Sequence, residues 1–74
     1  MRIERLVSMA NDIGAFFDAA SDKKQAAASI ANHLRRFWDP RMRRQIVAHY
    51  REGGVGLNDI VRSAIALLAV NGQK

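Results

Sequence analysis

Cysteine is absent from the sequence, which excludes disulfides and thiolate metal sites and agrees with a reducing cytoplasm. No apolar stretch approaches the roughly 18 residues needed to cross a bilayer. The start, Met1-Arg2-Ile3-Glu4-Arg5, runs straight into an amphipathic pattern that contains acids, unlike a secretory leader. A soluble, cytoplasmic protein is therefore expected. Strand patterns, internal repeats and low-complexity tracts are missing too. With 74 residues there is room for one domain, residues 1–74, and such a chain buries only about 60% of the surface it exposes unfolded. Without disulfides, helix packing or a partner has to supply the rest of its stability.

A convergent catalytic set is also lacking. Catalysis needs a nucleophile with its base, paired carboxylates or metal ligands at workable spacing. His33 and His49 lie on different predicted helices with no pairing acid in register, and the seven acids are scattered. Gly53-Gly54-Val55-Gly56 follows a helix rather than a strand, so it reads as a helix stop and not as a phosphate loop. No catalytic, cofactor-binding or metal-binding residue is expected.

What is present is helical periodicity. The pattern predicts an all-α fold, a compact bundle of three to four short helices at roughly 3–20, 22–38, 40–52 and 58–70. Leu6, Met9, Ala10, Ile13, Phe17 and Ala20 recur at three and four residues and form one apolar stripe, with Phe16 at its edge. Gly14 falls inside that helix, where glycine costs about 1 kcal/mol relative to alanine, so it marks a close approach by a neighbour in this domain or in a partner. Ser21 is the expected cap of the second helix, whose buried face is Ala27, Ile30, Ala31, Leu34, Phe37 and Trp38. Asp39-Pro40 ends that helix and starts the third, with Asp39 as cap and Pro40 at the first helical position. Met42, Ile46, Val47 and Tyr50 face inward, the glycines stop the helix, and Asn58 or Asp59 begins the fourth, with Ile60, Val61, Ala64, Ile65, Leu67 and Leu68. Short connections predict antiparallel packing of successive helices.

The net charge is +5, and all of it resides between His33 and Arg51, where six arginines face Asp39 alone. Arginine offers a planar fork for carboxylates and phosphates, so this block is the candidate contact surface. Counting about 100° per residue, Arg36 points opposite Ile30 and Leu34, and Arg41 and Arg44 point away from Ile46 and Tyr50. Arg43 lies on the apolar side and must snorkel or find a partner. Tryptophan and arginine are also enriched at interface hot spots.

Two segments resemble a known family. Leu6-Val7-Ser8-Met9-Ala10-Asn11-Asp12-Ile13-Gly14-Ala15-Phe16-Phe17 is similar to the opening of the delta subunits of bacterial NAD-dependent formate dehydrogenases. Ile30-Ala31-Asn32-His33-Leu34-Arg35-Arg36-Phe37-Trp38-Asp39-Pro40-Arg41-Met42-Arg43 resembles their second signature. The first connection, Ser21-Asp22-Lys23-Lys24, departs from the acidic, proline-containing form associated with that family. The resemblance implies a non-catalytic subunit of a cytoplasmic complex that oxidises formate to carbon dioxide and reduces NAD. In such complexes a large alpha subunit carries the pterin-bound molybdenum or tungsten and iron–sulfur clusters, and beta and gamma subunits carry FMN and further clusters. The delta chain itself brings no cofactor, and its role is structural or in maturation of the large subunit. On this reading the partner-binding residues are Asn11, Gly14, Arg36, Trp38, Pro40, Arg41, Arg43 and Arg44.

Two other classes share part of this pattern. Five arginines within ten residues beside a helix–turn–helix-like corner suit a small basic helical nucleic-acid-binding protein, but the third helix offers only Gln45 as a base-reading amide. Binding to a membrane surface fits less well, because the arginines flank the apolar faces poorly.

Overall fold

Four helices account for most of the described chain, residues 2–72 of a computed structural model: α1 (Ile3–Ala15), α2 (Lys23–Phe37), α3 (Pro40–Arg51) and α4 (Asp59–Gly72). No strand occurs among the described residues, and the fold is all-α.

α1 is shorter than its apolar pattern. From residue 16 the backbone tightens from i→i+4 to i→i+3 bonds, with Phe16 N–H donating to Ile13 O (3.2 Å), Phe17 N–H to Gly14 O (3.0 Å) and Ala20 N–H to Phe17 O (3.0 Å). Such tightening is a common way to satisfy the last carbonyls of a helix. It changes the angular phase, so Phe17 still packs on the core while Phe16 is 85% exposed.

The cap of α2 is Asp22 rather than Ser21. Its carboxylate accepts from Gln25 N–H at 3.1 Å, three residues on, which is the reach a capping side chain has. Asp39 does the same for α3, accepting from Met42 N–H at 2.9 Å, with Pro40 at the first helical position. α3 closes in a Schellman arrangement: Gly53 N–H donates to Tyr50 O (3.1 Å) and Gly54 N–H to His49 O (2.9 Å). Gly53, Gly54 and Gly56 all have positive φ, a conformation that a side chain would strain.

The expected packing of successive helices holds for α3 with α4 but not for the other two successive pairs. α4 packs against all three others, α2 most extensively, and α1 also packs on α3, whereas α1 with α2 and α2 with α3 touch little. At the second connection Trp38 and Asp39 both have extended backbone and Pro40 opens α3, so the polypeptide turns a corner there instead of folding α3 back on α2. The core is one cluster in which Leu6, Ile30, Leu34, Ile46, Val61 and Ile65 are fully buried and small residues, Ala10, Ala27, Ala31 and Ala64, let the helices approach.

Candidate docking surface

The residues singled out in the sequence separate into two groups, and the first is internal. The Asn11 side chain reaches across from α1 to the loop before α4: its Nδ2 donates to Gly56 O at 2.9 Å and its Oδ1 accepts from Asn58 N–H at 3.0 Å. Arg62 donates from Nη2 to Gly53 O (2.7 Å) and Gly54 O (3.1 Å). His49 lies 2.8 Å from Val55 O through Nε2; a carbonyl only accepts, so Nε2 carries the proton. Four successive loop carbonyls are thus paired with side chains from three helices, which ties the loop to the bundle. His49 and Arg62 were not apparent as loop ligands in the sequence. The available signal was Arg62, the lone base of α4, placed in the first turns after the glycine-rich loop.

Gly14 is buried, and a Cβ placed on it would lie 2.5 Å from Cγ2 of Val61. The close approach is therefore made within the domain, by a side chain of α4. Asn11 and Gly14 together explain the first signature as a device that seats α1 on the loop and on α4.

The second group surrounds the α2–α3 corner. Trp38, only 6% exposed, belongs to the core. It stands just after α2, with extended backbone (φ −88°, ψ 138°), which releases its indole from the helical phase and lets it cover the end of the bundle. Phe37 is the exposed aromatic instead, at 69%, a reversal of its expected place on the buried face of α2. Its ring stacks at a tilt on His33, centroids 4.7 Å apart, and Arg36 Cζ lies 6.0 Å from its centroid.

Around Phe37 the guanidinium groups are sorted by role. Arg43 is half-buried and donates from Nη1 to Arg35 O, so it satisfies a terminal carbonyl of α2 rather than pairing with a carboxylate. Arg35, Arg36, Pro40, Arg41 and Arg44 are exposed. Among the described residues the one ion pair joins Arg2 to Glu4 (3.8 Å), and Asp39, the sole acid of the block, is committed to its cap. The corner therefore presents Arg36, Arg41 and Arg44 without carboxylate partners among the described residues, beside an exposed phenyl ring.

No group of three or more His, Cys, Asp or Glu side chains that could hold a metal ion occurs among the described residues, and no described helix is long and apolar enough to cross a membrane. Fold and surface together define a small all-α protein whose distinctive feature is a basic, aromatic-bearing corner open to contact. Comparison with family models narrows this class: the chain belongs to the FdsD family, the NADH-dependent formate dehydrogenase delta subunits, whose model matches residues 5–65. Both segments quoted above fall inside that span, as the resemblance anticipated. No curated protein and no solved structure gives a match.

Proposed function

We propose that this chain is a non-catalytic delta subunit that binds the large catalytic subunit of an NAD-dependent formate dehydrogenase and stabilises it or assists its maturation. The observation that carries the reading is the family match over residues 5–65. A delta subunit works in a complex with other subunits. The finer composition, a large alpha subunit with beta and gamma partners in the cytoplasm, is part of the proposal.

The cofactors of such a complex belong to the partners on this reading. Iron–sulfur clusters are held by cysteine thiolates, and this sequence has no cysteine. Pterin-bound molybdenum or tungsten and FMN would likewise reside in the other subunits, with formate oxidation performed there.

Co-expression of the other subunits with and without this chain tests the proposal. A tagged copy should retrieve the large subunit, and omission should lower both the yield of assembled enzyme and formate-dependent NAD reduction. Full yield and activity without the chain, together with no dehydrogenase on the tag, would contradict it.

A further inference from the structure

Phe37 and Trp38 are adjacent, yet one is in the core and the other in solvent. An exposed phenyl ring is ordinary when single and mobile. Phe37 is neither isolated nor loosely held: His33 stacks on it at 4.7 Å, and Arg36 lies beside its face. A side chain already restrained in the free protein loses less freedom when a partner covers it. Exposed guanidinium groups on both sides of the corner, Arg36 on α2 and Arg41 and Arg44 on α3, have no carboxylate partner among the described residues.

Resting on the proposed role as a delta subunit, we infer that this corner is the docking surface, and that it takes an acidic protein surface: an apolar pocket for the Phe37 ring, rimmed by carboxylates that pair with Arg36, Arg41 and Arg44. Charge complementarity selects the carboxylates, because the corner carries uncompensated positive charge and arginine pairs with a carboxylate through two parallel hydrogen bonds. The pocket follows from Phe37, since an anchor contributes most when fully desolvated at the centre of a contact.

Nucleic acid would also suit the charge, but not the rest of the corner. Bases are read by amide side chains, on adenine, or by arginines, on guanine, presented together from one element lying in the groove. The one amide side chain of α3, Gln45, is half-buried and already engaged, and Met42 packs on the core. The three arginines are also divided between two helices rather than aligned along one.

The test uses full-length chains titrated onto the dehydrogenase subunits produced without this one. Wild type is compared with Phe37→Ala, with the double variant Arg41→Glu/Arg44→Glu, and with Lys24→Glu, an exposed position in the first turn of α2. Far-UV circular dichroism verifies that each is folded. Phe37→Ala and the arginine pair should each weaken binding by about tenfold or more, Lys24→Glu should bind as wild type, and wild-type affinity should fall with salt. Equal binding by all four proteins would place the docking surface elsewhere while leaving the delta-subunit reading intact. Failure of the wild type to bind any dehydrogenase subunit would remove that reading and the docking inference with it. A low-salt shift of random duplex DNA by wild type, lost in the arginine pair, would make nucleic acid the occupant and overturn the inference.

Discussion

Gly14 and Val61 meet so closely that a β-carbon on the first would lie 2.5 Å from a γ-methyl of the second. Two effects of Gly14→Ala then oppose each other. Removing a mid-helix glycine gains up to about 1 kcal/mol, whereas forcing a methyl into a packed core costs about 1–3 kcal/mol. Val61 is fully buried and stiff at χ1, so it cannot swing aside, and overpacking wins. Urea unfolding should show a net loss of about 1 kcal/mol. Combining Gly14→Ala with Val61→Ala should cost less than the sum of the two changes.

Asn11 has a separable role. Replacing it with alanine removes both of its bonds to the loop. At about 0.5–1.5 kcal/mol for each such bond, and with partial exposure reducing the total, a loss of about 1–2 kcal/mol is expected. The local signature is faster amide exchange at Asn58, whose N–H loses its acceptor. Unchanged exchange at Asn58 would show that the loop keeps its shape without Asn11.

The two corner aromatics should behave oppositely in the free chain. Truncating a buried tryptophan costs about 3–5 kcal/mol, comparable with the roughly 3–5 kcal/mol that a core of this size supplies in total. Trp38→Ala should therefore unfold the domain, while Phe37→Ala should shift stability by no more than about 0.5 kcal/mol. Trp38 is the single tryptophan, so wild-type fluorescence should be blue-shifted and should move to the red in one step with denaturant.

Cap assignments can be tested in pairs. Asp22→Ala should cost about 1 kcal/mol, as should Asp39→Ala, because each carboxylate accepts from an otherwise orphaned amide. Ser21→Ala, expected to be a cap loss from sequence, should be neutral within about 0.5 kcal/mol. The reverse ranking of Ser21 and Asp22 in thermal melts would contradict the observed cap geometry.

Much of the fold was legible because its punctuation is strong. Asp39-Pro40 and the glycines at 53, 54 and 56 can do little else, and both ends of α3 fall within a residue of the expectation. The end of α1 was not legible: Phe16, Phe17, Ala19 and Ala20 continue an apolar, breaker-free pattern, and only tertiary packing tightens the backbone there. Nor could periodicity reveal which helices pack together, since that depends on which faces α4 offers.

The candidate surface was legible in its charges more than in its aromatics. Arg36, Arg41 and Arg44 stand where helical phase directs them, and all are exposed. Phase places Phe37 near Ile30, on the inner side of α2, and it fails because the helix ends at that residue. One residue later the backbone is extended, and Trp38 takes the inner position. Gly14 signalled a close approach correctly, but its neighbour proved to be this chain's own Val61.

The most direct measurement of the docking account is hydroxyl-radical footprinting of the free chain and of the chain within the assembled dehydrogenase. Trypsin would release Phe37 and Trp38 together in the peptide Phe37–Arg41, where fragmentation separates oxidation at the two rings. Phe37 should be oxidised readily in the free chain and protected in the complex, with Trp38 protected in both. Equal oxidation of Phe37 in both states would mean that the corner remains uncovered on assembly, and would contradict the account.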